Sequence, residues 1–113
     1  MLTDFNLTSE LKENSLIIKT SGYINNTAGE KISSEFEKHK DAGIKKVIMD
    51  LQESKVVNSI GISHLIEIIE KLNEQQGKLY FTNLDPTIEK TFNIMGLFTF
   101  AEKADSVEEA LGK

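Results

Sequence analysis

The alternation of apolar and polar positions divides the chain into strands and helices from its first residues onward. Phe5-Asn6-Leu7-Thr8 and Ser15-Leu16-Ile17-Ile18-Lys19-Thr20, separated by Glu13-Asn14, predict an antiparallel pair of strands, the second ending at Gly22-Tyr23-Ile24. Thr27-Ala28-Gly29-Glu30 has the spacing of a capping box, in which the Thr27 hydroxyl and the Glu30 carboxylate satisfy free donors at a helix start. Ala28, Ile32 and Phe36 give that helix a narrow apolar stripe, and Gly43 marks its end.

Lys45 to Leu51 contains the nearly continuous apolar run Val47-Ile48-Met49, which suits a central strand covered on both faces. A loop follows, and then Ile62, Leu65, Ile66, Ile69 and Leu72 recur at spacings of three and four through Gln76, with Gly77 as the expected stop. Glu67, Glu70, Lys71 and Glu74 occupy the solvent face of this second helix. Lys78-Leu79-Tyr80-Phe81-Thr82 predicts another strand, Asp85-Pro86 a helix start with an acidic cap and a first-turn proline, and Gly96 its end. After the apolar Leu97 to Phe100, Ser106-Val107-Glu108-Glu109 forms a second capping box for a short last helix. Alternating strands and helices predict an α/β fold: one domain over residues 1–113, with a mixed, mostly parallel sheet of four to five strands and about four helices.

Composition narrows the chemistry. With 39% apolar and 27% charged residues among 113, the chain reads as a soluble globular protein, and no apolar run is long enough to span a bilayer. The N-terminus has Asp4 and no basic-then-apolar block, so a cytoplasmic location is expected. Cysteine is absent, which excludes disulfides and thiolate chemistry; His39 and His64 stand far apart without an HExxH pattern, which argues against a zinc site. The net charge is −5 and every cation is lysine. Lys38 with Lys40 and Lys45 with Lys46 are broken by Asp41 and Gly43 and read as a solvated helix end, so no nucleic-acid footprint is expected.

The candidate chemistry lies in Val47 to Gly61, where the central strand runs through a loop to Ser59 at a helix start. Asn58 and Ser59 are both favoured caps, and a structural cap accounts for Ser59 as it stands; Gly61 then serves tight packing in the first turn. The functional alternative is that Ser59 accepts a phosphate, which would add about −1.5 to −2 charges beside the positive end of the helix dipole. A third reading makes Ser59 a nucleophile with His64 as its base. Against it, Val57 stands where the nucleophile elbow has glycine, and positions 59 and 64 do not share a helix face. No Gly-x-x-x-x-Gly-Lys motif points to nucleotide hydrolysis.

The series Val47-Ile48-Met49-Asp50-Leu51, Val56-Val57-Asn58-Ser59-Ile60-Gly61-Ile62, an amphipathic helix and the strand Leu79-Tyr80-Phe81 resembles the STAS domain of bacterial anti-sigma-factor antagonists. Gly22-Tyr23-Ile24-Asn25 and Asn93-Ile94-Met95-Gly96-Leu97 extend the resemblance over nearly the whole chain. It implies a regulator without enzymatic activity or cofactor of its own, working by partner switching. The unphosphorylated form would bind an anti-sigma factor that is a serine kinase and carries the ATP, phosphorylation at Ser59 would end binding, and a serine phosphatase would reset the system. The implied docking surface comprises Asn25, Asn26, Asn58, Ser59, Ile60, Gly61 and Ile62. A monomer or weak dimer is expected, without nucleic-acid or membrane partners. A STAS scaffold subunit of a signalling or transport assembly, with Ser59 unphosphorylated, is the alternative. Where the family commonly has aspartates the chain has Asn25 and Asn58, which keep capping ability and lose a charge, and Ile60 replaces a small residue.

Overall fold

The computed structural model describes residues 5–113. Two antiparallel strands, β1 (Asn6–Lys12) and β2 (Ser15–Ser21), open the fold, and a helix and three βα units follow. In order these are α1 (Asn26–His39), β3 (Lys46–Glu53), α2 (Ser59–Glu74), β4 (Lys78–Thr82), α3 (Pro86–Ile94), β5 (Ala101–Ala104) and α4 (Val107–Leu111). Strand order in the sheet is β1-β2-β3-β4-β5, antiparallel at the first pairing and parallel at the others. The mixed, mostly parallel α/β sheet with four helices agrees with the expected fold. The strand β5 was not legible: Ala-Glu-Lys-Ala is short, and its two central residues are charged and exposed.

Because side chains alternate along a strand, the apolar run of β3 serves both faces. Val47, Met49 and Leu51 enter the larger core under α1, α2 and α3, whereas Ile48 joins Ile17, Tyr80, Ala104 and Ala110 beneath α4. Ile32 and Phe36 of α1 and Leu65, Ile69 and Leu72 of α2 fill the larger core as the spacing predicts. Ile68 is buried there as well, while Ile66 is only half-buried. Phe81, Phe92 and Phe98 form a ring cluster with centroids 5.0 to 6.5 Å apart.

Two helix ends differ from expectation. α1 begins two residues earlier than the Thr27–Glu30 box implies, because Asn25 is its cap: the Ala28 N–H donates to Asn25 Oδ1 at 3.0 Å. At the end of α2 the left-handed residue is Gln76 (φ 63°), not Gly77; the Gly77 N–H donates to the Leu72 carbonyl and the Gln76 N–H to that of Asn73, as in a Schellman motif. Gly43 and Gly96 take left-handed φ values of 75° and 81° and end their helical segments as expected. Asp85 and Ser106 cap α3 and α4, Asp85 accepting from the Thr87 N–H and Ser106 from that of Glu109.

Candidate functional site

The loops leaving β2 and β3 are zipped together, and this joins the predicted site residues. The Gly22 N–H donates to Glu53 O, the Ile24 N–H to Val56 O and the Asn58 N–H to Ile24 O, at 2.9 to 3.1 Å, so Ile24 and Val57 form an isolated parallel bridge. The buried hydroxyls of Thr20 and Ser54 lie 2.7 Å apart and tie the end of β2 to the start of the loop after β3. The starts of α1 and α2 therefore emerge side by side. Gly61 is part of the same construction: a side chain there would place its Cβ 2.3 Å from the Ile24 carbonyl oxygen.

Asn58 holds an extended backbone (φ −117°, ψ 172°), and its Oδ1 accepts from the Gly61 N–H at 2.8 Å while its carbonyl accepts from the Ile62 N–H. Asn58 is thus the cap of α2, and Ser59 is the first helical residue beyond it. This corrects the capping alternative for Ser59, whose exposed hydroxyl makes no hydrogen bond among the described residues. The N–H groups of Ser59 and Ile60 precede the first intrahelical bond and belong to the free donors of a helix start. Asn25 and Asn58 each cap a helix, so asparagine at both positions performs the hydrogen-bonding job open to aspartate.

Asn25, Asn26, Asn58, Ser59 and Ile60 form the accessible part of the predicted surface. Asn26, Ser59 and Ile60 are exposed, with Ile60 53% accessible, and Val56, which sequence reasoning did not assign to the surface, is 56% accessible. Gly61 and Ile62 are a correction: both are buried, Ile62 as part of the main core, so they support the surface from beneath and present nothing to a partner. His64 Nε2 pairs with Asn26 Oδ1 at 2.9 Å, linking α2 to α1, and its ring packs over Gly29. The imidazole is engaged across the helix pair, away from the role of a base for Ser59.

Asp50 Oδ1 accepts from the Gln52 N–H and from Asn83 Nδ2, which keeps the end of β3 aligned with the loop after β4. Among the described residues no group of three or more His, Asp or Glu side chains is placed to hold a metal ion, and no helix is long and apolar enough to cross a membrane.

A STAS domain model matches residues 6–110 of the sequence. The chain belongs to the STAS domain family. BtrV of Bordetella bronchiseptica, a candidate anti-sigma factor antagonist by name, is 27% identical to this STAS domain over 104 residues, covering 92% of this chain and 90% of its own. Among solved structures, an anti-sigma factor antagonist from Mycobacterium paratuberculosis superposes with a TM-score of 0.82 at 16% identity, covering 96% of this chain and 92% of its own. The Bacillus cell fate determinant SpoIIAA in its phosphorylated form gives 0.76 at 20% identity, covering 95% and 97%. At these identities the two structures share the fold of this STAS domain.

Proposed function

We propose that this STAS domain is an anti-sigma-factor antagonist that works by partner switching, with Ser59 as the phosphorylated residue. In its unphosphorylated form it binds, in the cytoplasm, an anti-sigma factor that is a serine kinase and brings its own ATP, and so releases the sigma factor. Phosphorylation ends that complex, and a separate serine phosphatase restores the binding form. The antagonist itself needs neither a cofactor nor catalytic residues.

The observation that carries the reading is the freedom of the Ser59 hydroxyl. Asn58 does the capping, so Ser59 is exposed and unengaged on the first turn of α2, between the exposed side chains of Val56 and Ile60. A phosphate there lies next to free helix N–H donors and the positive end of the dipole, which stabilise the dianion within the free protein. In a complex that covers Val56 and Ile60, the same charge must be desolvated against apolar surface, which weakens the complex. A penalty of about 2.7 kcal/mol lowers affinity about a hundredfold. The switch thus operates at the surface without refolding. The similarity to BtrV supports the antagonist assignment, and the SpoIIAA structure belongs to a protein whose phosphorylated form has been solved.

The test is capture of the kinase from lysate on immobilised protein, addition of magnesium and ATP, and mass spectrometry of the released chain. Phosphate on Ser59 is expected, with Ser59→Ala retaining the kinase and Ser59→Asp losing about a hundredfold in affinity. Equal binding by the two variants would defeat the switch. Capture of a partner without modification would point to the unphosphorylated scaffold.

A further inference from the structure

The end of the sheet opposite Ser59 carries a second feature, built from residues that lie far apart in sequence. Lys12 pairs with Ser15, Ser15 with Lys46 and Lys46 with Lys78, so one row across four strands holds three lysines. Lys45 and Lys113 join them around an open cavity of about 900 Å³, which is within the size range of small-molecule sites. Lys45 and Lys46 lead into β3, as the central-strand reading expects, and line this cavity rather than a plain solvated helix end.

The electrostatics are unusual for the chain that carries them. A protein with a net charge of −5 has ample acids to distribute, yet among the described residues Glu13 is the one acidic side chain in the cavity lining; Lys78 pairs with Glu102 at 3.1 Å and Lys46 with the terminal oxygen of Lys113, while the Lys45 and Lys113 ammonium groups have no carboxylate partner. Strand register also sets Lys46 beside Lys78, two like charges on neighbouring strands. Lys46 has a structural job: its ammonium donates to the carbonyls of Ala110 and Leu111 and to the terminal oxygen of Lys113 at 2.7 to 3.1 Å and so fastens the end of α4. Lys45 donates to the Gln75 carbonyl. The Gln75 carbonyl satisfies a hydrogen bond without cancelling charge, so Lys45 contributes fully to the field in the cavity, whereas the charge of Lys46 is offset by the terminal carboxylate of Lys113. Among the described residues no main-chain carbonyl engages the exposed Lys12 ammonium, which forms a long 3.9 Å pair with Glu10 at the surface. A concave surface lined by one sign of charge concentrates counter-ions of the other.

We propose that this cavity is a binding site for a small molecule carrying two or more phosphate groups. Lysines are point charges that suit phosphate oxygens distributed over a wide mouth, whereas planar carboxylates are matched best by the guanidinium fork, and the chain has no arginine. β3 separates the cavity from the Ser59 surface: its eight residues span roughly 25 Å at about 3.3 Å each. The cavity is therefore spatially distinct from the switch proposed for Ser59.

Inorganic pyrophosphate is the probe, titrated into the intact protein at about 0.15 M salt, where screening suppresses diffuse attraction. Saturable binding with a Kd of about 1 mM or tighter is expected. Amide shifts should be concentrated at Lys12–Ser15, Lys45–Lys46 and Gly77–Lys78 and be absent from Asn58–Ile60. Lys12→Gln/Lys113→Gln, which leaves every fold-holding side chain in place, should weaken binding about tenfold, or about 1.4 kcal/mol. Lys78→Gln should weaken it in the same direction, and Lys55→Gln/Lys90→Gln, placed elsewhere on the surface, should leave it unchanged. The site is overturned by failure to saturate at about ten times that concentration, by equal affinity of the Lys12→Gln/Lys113→Gln variant, or by shifts centred on the Ser59 loop. Citrate binding as tightly as pyrophosphate overturns the phosphate assignment.

Discussion

Gly61 lies against Ile24 so closely that a Cβ on Gly61 would stand 2.3 Å from the Ile24 carbonyl oxygen and 3.1 Å from its side chain. That carbonyl also accepts the Asn58 N–H, so the contact sets where α2 begins relative to the loop after β2. Backbone cannot yield as a flexible side chain can. Gly61→Ala is therefore expected to lower stability by about 1–3 kcal/mol, the usual range for overpacking. The Ile24 and Asn58 amides should also exchange faster with solvent, because their bonds form the bridge that must open. An unchanged urea midpoint together with unchanged exchange would contradict the packing role of this glycine.

Capping by Asn58 and the phosphorylation proposed for Ser59 fall on adjacent residues, and stability measurements separate them. Asn58→Ala removes the acceptor of the Gly61 N–H and is expected to cost about 1 kcal/mol. Asn58→Asp keeps the cap and adds a negative charge at the positive end of α2, a gain of about 0.3–1 kcal/mol at low salt. Ser59→Ala removes a hydroxyl that holds nothing and should fall within about 0.5 kcal/mol of the parent. The reverse order, with Ser59→Ala the more damaging, would make Ser59 the cap and weaken its assignment as a free acceptor.

What the sequence could reveal depended on whether the deciding interaction was local. Val47-Ile48-Met49 declares a two-sided strand and the stripe through Leu65, Ile69 and Leu72 a one-sided helix, because each pattern is generated within its own element. The start of α1 was misplaced because Asn25 and Thr27 are both competent caps, and the choice is made by the bridge between Ile24 and Val57, more than thirty residues apart in the chain. Ser59 was found by its position in the loop, but its release from capping became visible only with the Asn58 side chain in place. Val56 escaped notice because nothing local distinguishes an exposed valine from a buried one. The lysine row is the extreme case, since strand register brings Lys12, Lys46 and Lys78 together from separate strands.

Acid should loosen the contact between β1 and α1. The Glu35 carboxyl is held below its ordinary value of 4.5, first by the hydrogen bond donated by Ser9 Oγ and, against the opposing effect of burial, by Lys38 and His39. A carboxyl depressed in the folded state stabilises the protein above its unfolded pKa, and that contribution is lost as pH falls through the folded value. The Glu35 contribution is thus intact at neutral pH and declines below about 4.5. Glu35→Gln should be less stable than the parent at pH 7, and the difference should shrink as the solution is acidified below pH 4. A difference independent of pH would show that the carboxylate charge contributes nothing to this contact.

The pairing of α1 with α2 near the proposed docking surface rests on a glycine facing an imidazole. A Cβ on Gly29 would stand 2.3 Å from His64 Cδ2 and 2.9 Å from His64 Cβ, so the ring cannot escape by rotation about its terminal bond alone. Gly29→Ala should therefore separate the helices locally, break the 2.9 Å link from His64 to Asn26 and cost about 1–3 kcal/mol. His64→Ala alone loses that exposed hydrogen bond and should cost about 0.5–1.5 kcal/mol. Combined, the two substitutions relieve each other, because the methyl group enters space the ring has left. Gly29→Ala/His64→Ala is expected to be more stable than Gly29→Ala, with a coupling of about 1 kcal/mol or more in a double-mutant cycle. Simple additivity would mean that the ring does not fill the space above Gly29, and the His64 contact would then not hold the starts of α1 and α2 in register.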